Sequence, residues 1–360
     1  MSRRRVSGAV LALILLGLLA AVQSRRLAAR RSAGLSAAYE GYNADTPPAL
    51  TFVMAGLGGF RGIVAEILWL RADRLQEEGR FLELVQLADW ITRLDPRAAE
   101  AWSYNAWNLA YNVSSMMIRP EDRLRWVRNG LSLLRDEGLR YNPREPRLYR
   151  ELAWLYQNKI GDSLDDAHLT YKLALAGEMA PLLCPDGTLM DTPETRTRLA
   201  SLKLDAPRMA ALEARFGPLD WRVAETHAVY WADQGVRLAT GNERIMCRRG
   251  VYQALVLCVF RGRFTGSIER RQWQSAGNLA LAVTTADYLE ETLAETPYQK
   301  NMRRIVLRYL STAARETERA GLGEQTRALV ARIGKLLPPG LNPPTFEEIM
   351  KGWEPPDETP

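Results

Sequence analysis

Two histidines and three cysteines are the side chains of this 360-residue chain best suited to proton transfer, nucleophilic attack or soft-metal binding. Their spacing supports none of these. His168 and His227 stand outside any H-E-x-x-H, H-x-E or C-x-x-C-H arrangement, which would bring a second ligand or a base onto the same face. His227 falls at a core position of a helix and is expected to be buried and hydrogen-bonded rather than reactive. Cys184, Cys247 and Cys258 form an odd set with no C-x-x-C pair. Cys247 and Cys258 share one helix, where eleven residues at ~1.5 Å rise hold them roughly 16 Å apart. That distance excludes a disulfide and a shared metal ion, and leaves the role of small buried hydrophobes. The acidic pairs Asp165-Asp166 and Glu77-Glu78 are adjacent in sequence, so their carboxylates do not face each other on a helix and suit capping or solvation better than acid–base work. No Gly-x-Ser-x-Gly elbow occurs, and Gly56-Leu57-Gly58-Gly59-Phe60-Arg61-Gly62 lacks the Gly-Lys-Ser/Thr of a phosphate loop, so it is read as a turn feeding a helix. No catalytic residue, metal or cofactor is expected, and the chain is not expected to be an enzyme.

With 47% hydrophobic and 25% charged residues, the chain has apolar material for one extended or two smaller cores. The formal charge of +6 suggests a nucleic-acid partner until its origin is traced. Arg3, Arg4, Arg5, Arg25, Arg26, Arg30 and Arg31 account for +7, and without them 41 basic side chains face 42 acidic ones. A body with no positive excess lacks the electrostatic footprint of a phosphate-backbone binder, so no nucleic acid is expected among its partners.

Those seven arginines flank Val6 to Val22, a 17-residue run of Ala, Val, Leu, Ile, Gly and one Ser. At ~1.5 Å per residue it covers about 26 Å, near the thin limit of a bilayer core. The run is longer than the 7–15 residues typical of a cleaved signal peptide and stops at Gln23-Ser24-Arg25-Arg26, which on length favours a retained anchor. Residues 1–24 are therefore read as a membrane anchor with its span at 6–22, and 25–48 as a linker. Three arginines precede the span and four follow it, so charge bias sets orientation weakly, and the expected arrangement is a cytoplasmic amino terminus with the body outside.

The elements beyond the linker carry a repeating pattern. Gly79-Arg80-Phe81 and Leu94-Asp95-Pro96 supply an inter-helix turn and a closing turn, and units beginning at Ala65, Ala99 and Pro146 place Ala72, Ala106 and Ala153 at the same position. A fourth unit around Asp220 to Trp231 places Ala228 there. Two helices approach to ~8–10 Å only where a small side chain sits at the crossing, which is the physical meaning of that recurrence. Pro96 to Pro143 spans 47 residues, so a longer second helix or an insertion near Ile118-Arg119-Pro120 is required.

This pattern resembles the tetratricopeptide-repeat (TPR) family. It is similar in particular to membrane-anchored bacterial repeat proteins that share the Leu68-Trp69-Leu70-Arg71-Ala72 opening and the Thr92-Arg93-Leu94-Asp95-Pro96 turn. The resemblance covers residues 60–180 well and 218–260 poorly, and departs from the pattern where Arg71, Asn105 and His227 replace a leucine. It implies an all-α, TPR-like α-α solenoid over 49–180 and a protein- or peptide-binding role, and it transfers no catalytic residue. It further implies a concave face bearing Trp69, Asp73, Trp107, Tyr111, Arg150, Trp154, Gln157 and Asn158, with rings for contact area and amides and one arginine for register.

Pro181, Pro185, Gly187, Pro193 and Pro207 interrupt the helical period, so 181–217 is expected to be an irregular insertion. Helical runs are expected again at 243–260, 275–296, 299–320 and 324–337, within a degenerate-repeat region at 218–337. No strand alternation is evident. In the proline-rich tail at 338–360, Phe346, Ile349, Met350 and Trp353 suit one docked helical turn. The function expected is a membrane-tethered scaffold at the bacterial inner membrane, its body periplasmic, holding a protein or peptide partner. The alternative is a helical protein enclosing a small-molecule or lipid-like ligand, with a cryptic enzymatic site in 181–217.

Overall fold

Gly79 sets the first bend: its φ of +69° lies in the left-handed region that favours glycine, and it joins α1 (Arg61–Glu77) to α2 (Phe81–Leu94). The computed structural model describes residues 61–296, 301–337 and 340–355. The chain divides into two compact units, Met1–Glu66 and Ile67–Pro360, and the second holds α1 from Ile67 onward together with every later element. The anchor expected at 1–24 and the linker at 25–48 lie outside the described residues. Among the described residues, no helix is long and apolar enough to cross a membrane.

Next, α3 (Ala99–Trp107) widens at its end into a π-helical turn, Asn108–Val113. The following helix, α4 (Pro120–Ser132), continues through a π-helical turn at Leu133–Gly138 to Tyr141. The same happens where α5 (Pro146–Trp154) runs into Leu155–Ile160. The long α4 and its extension account for the 47-residue interval between Pro96 and Pro143. The Pro96 carbonyl accepts hydrogen bonds from Trp102 Nε1 and Asn142 Nδ2, each at 2.8 Å, so one turn residue ties the start of α3 to the end of the α4 extension.

The four recurring alanines are buried. Ala72, Ala106 and Ala228 are fully buried and Ala153 nearly so. Opposite Ala106, Gly130 of α4 leaves no room for a methyl group, since a Cβ there would stand 2.6 Å from the Ala106 carbonyl oxygen. Ala72 belongs to a small cluster with Leu75, Leu84, Leu87 and Ile91, while the other three belong to the main core.

After α6 (His168–Met179), the structure corrects the expectation of an irregular insertion. Residues 181–217 contain α7 (Pro193–Ser201) and α8 (Ala206–Phe216). Pro193 and Pro207 sit in the first turns of these helices, where a missing N–H costs no hydrogen bond. Thr192 and Asp205 cap them by accepting from the backbone N–H of Thr195 and Arg208. Pro193 and Pro207 are thus helix starts, whereas Pro185 stands in a turn as expected.

The centre of the unit is α9 (Ala224–Leu238) against α10 (Gly241–Arg261), and α9 buries residues all round its circumference from Ala224 to Asp233. Gly235 permits this approach, because a Cβ there would lie 2.8 Å from Cys247 Sγ. A short antiparallel pair, β1 (Arg263–Phe264) with β2 (Ser275–Ala276), comes next, where the sequence reading expected no strand and began a helix at 275. Three helices complete the body: α11 (Ala282–Glu295), α12 (Met302–Arg319) and α13 (Gly323–Leu336). The tail carries the expected turn as α14 (Phe346–Lys351), started by a Thr345/Glu348 capping box and ended at Gly352 in the left-handed region. Its Ile349 is fully buried, and Ser311 Oγ donates to the Trp353 carbonyl at 2.9 Å.

Candidate functional site

His227, Cys247 and Cys258 are buried, whereas His168 and Cys184 are half-buried. His227 is buried, and its Nε2 lies 2.9 Å from the Trp221 carbonyl, which fixes the hydrogen on Nε2 because a carbonyl only accepts. Burial drives its pKa down to about 4, opposed by that bond, and the ring stacks on Tyr156 at 5.0 Å. Burial likewise pushes the Cys247 thiol up to about 11 and raises that of Cys258 further. Among the described residues, no three His, Cys, Asp or Glu side chains converge to hold a metal ion.

Asp165, expected to be solvated or capping, does more than cap. It accepts from the Ala167 N–H at 2.9 Å and pairs with Lys159 Nζ at 2.6 Å and Arg123 at 3.2 Å. Burial alone would raise its carboxyl, but Lys159, the Ala167 N–H and Tyr171 together hold it below the usual value. Lys159 is buried and places its ammonium 4.9 Å from the Tyr111 ring centroid, so a π-helical turn of α5 reaches the π-helical turn of α3.

The eight residues expected on a concave face divide into three groups. Trp69 packs edge-on against Tyr104 at 5.2 Å and Asp73 is exposed on α1, and neither lines the cleft that α5 and α10 form farther along the chain. Trp107 and Tyr111 stack at 4.7 Å on α3 and its extension. Burial pushes the Tyr111 hydroxyl up to about 12, partly offset by a hydrogen bond from Trp154. Arg150, Trp154, Gln157 and Asn158 come together on one wall of that cleft, of about 460 Å³, with Met246, Arg249 and Gln253 of α10 on the other. Arg150 bridges the walls through a 2.7 Å pair with Glu243, and Trp154 remains half exposed.

A second cavity of about 500 Å³ adjoins the first, sharing Gln157, Arg249 and Gln253 with it. Its walls are α10 and α12, contributing Tyr252, Val256, Phe260 and Ile305. Sequence reasoning missed these residues, although a signal was present: Met246, Arg249, Gly250, Gln253, Val256, Leu257 and Phe260 fall at i, i+3, i+4, i+7 spacing. The opposite face of α10 is equally apolar, so the stripe does not stand out as one face of an amphipathic helix.

No protein-family model matches the chain, and no curated protein matches it in sequence.

Proposed function

We propose that this chain is a membrane-tethered scaffold built on TPR-like helical pairs in an α-solenoid arrangement, and that it holds a protein or peptide partner in the cleft between α5 and α10. The observation that carries this reading is the convergence of Arg150, Trp154, Gln157 and Asn158 on one cleft wall. A half-exposed indole beside a guanidinium and two amides suits an extended peptide or helix end, because the ring supplies area and the polar groups fix register. In this reading the tether is the apolar run at 6–22 and the body lies in the periplasm, an orientation that the three arginines before the run and the four after it bias only weakly.

The test is the Arg150→Ala/Trp154→Ala double variant, extracted from membranes in mild detergent with its anchor intact. Arg150 contributes a part-exposed ion pair worth roughly 0–1 kcal/mol, so the melting temperature should move little while a co-purifying partner is lost. An unaltered set of co-purifying proteins overturns the reading. A small-molecule or lipid-like ligand is the second reading, favoured by the apolar lining and by a volume within the usual range of ligand cavities, about 300–1,000 Å³.

A further inference from the structure

The α10–α12 cavity carries its own electrostatic pattern. Its floor is apolar, with Val256, Leu257 and Phe260 from α10 and the partly exposed Ile305 from α12. Its polar rim is cationic. Arg249 is exposed, lines both cavities and makes no ion pair among the described residues. Arg308 faces the second cavity and, among the described residues, pairs only with the exposed Glu354, at 3.5 Å, a contact that an incoming carboxylate can replace at little cost. Among the described residues, the one acid lining the two cavities is Glu151, in the first, 3.9 Å from Arg150.

We infer that this groove binds an acidic amphipathic helix of a partner protein, its apolar stripe on Val256, Leu257 and Phe260 and its carboxylates on Arg249 and Arg308. This rests on the scaffold reading above and names the chemistry of the partner. From Arg249 to Phe260 the groove wall advances by eleven residues, about 16 Å at 1.5 Å per residue, which matches about three turns of a docked helix. Charge complementarity selects acid over base, since burying like charges against the two guanidiniums is unfavourable. Two charged segments of the chain itself fit poorly. The arginine-rich residues 3–31 have the wrong sign, and the acidic tail end at 356–360 is Pro-Asp-Glu-Thr-Pro, with no aliphatic or aromatic side chain for the floor.

The experiment uses the full chain in detergent and two fluorescein-labelled 16-residue peptides. Both have leucine at i, i+3, i+4, i+7 spacing, with glutamate on the flanks of one and lysine on the flanks of the other. By fluorescence anisotropy, the glutamate peptide should bind at least tenfold tighter than the lysine peptide. Arg249→Gln/Arg308→Gln should weaken glutamate-peptide binding at least tenfold, while Arg303→Gln, an exposed α12 position outside the groove, leaves it unchanged. Thermal melts establish that the variants are folded, as expected for exposed positions. Equal binding of the two peptides, no binding of the glutamate peptide, or indifference to the double exchange overturns the inference. So does displacement of the peptide by self-association of the chain, read as a second copy filling the groove. If the inference fails while Arg150→Ala/Trp154→Ala still releases the membrane partner, the scaffold reading survives it.

Discussion

At His227, one carbonyl partner and complete burial leave an imidazole whose Nε2 hydrogen goes to Trp221 and whose Nδ1 finds no partner among the described residues. Its pKa of about 4 lies below the ordinary 6.5, so between those values the unfolded chain binds the proton more readily than the folded one. Stability contributed by neutral His227 is therefore present above pH 6.5 and falls as the pH drops towards 4, by about 3 kcal/mol in all. Denaturant titrations of His227→Gln should show a flatter dependence across that window, even if the variant is less stable at pH 7. A wild-type slope retained in the variant would assign the acid sensitivity to other groups. That His227 would be buried was legible from its place one residue before Ala228, whereas the unsatisfied Nδ1 was not, because hydrogen-bond partners come from elements distant in sequence.

Among the elements, closest approach decides what substitutions are tolerated. Gly130 faces backbone of α3, which cannot rotate away, so Gly130→Ala should cost about 1–3 kcal/mol by overpacking, despite the better helix propensity of alanine. Thermal unfolding of that variant gives the measure, and unchanged stability would mean that α4 can slide. Ala153→Leu should cost a similar amount, roughly 1–3 kcal/mol, because Ala153 is nearly fully buried in the main core. That Ala153 and its three counterparts are buried was readable from their recurrence. α7 and α8 were not, since a proline in isolation reads as an interruption and becomes a helix start only when a capping Thr192 or Asp205 just before it is recognised. The groove wall on α10 was half legible: its helix was evident, but which of its two apolar faces stays open depends on where α9 and α12 pack.

At the scale of the whole molecule, the tail fastens onto the body. Ile349 contributes a fully buried side chain from a stretch framed by prolines, and the Trp353 carbonyl is held by Ser311 of α12. Ile349→Ala should cost about 2–4 kcal/mol and lower the melting temperature by several degrees, as calorimetry would show. A negligible change would mean that α14 detaches without consequence for the core. Loss of this tether would also free Arg308 from Glu354 and should modestly strengthen binding of the acidic peptide. Most of the charge imbalance lies in the first 31 residues, so truncating them should bring the chain from a formal +6 to near neutrality, with an isoelectric point falling from about 9.3 towards 7.

Each wide turn at the ends of α3 and α5 amounts to one additional residue threaded into a helix, which shifts the azimuth of whatever comes after it by about 100°. Lys159 is aimed inward at Tyr111 and Asp165 by the backbone in just such a place. Removing a single residue from 155–160 would restore ordinary winding and swing that ammonium off its ring and its carboxylate together. The locking of α5 against α3 is thus written in chain length as much as in side-chain identity.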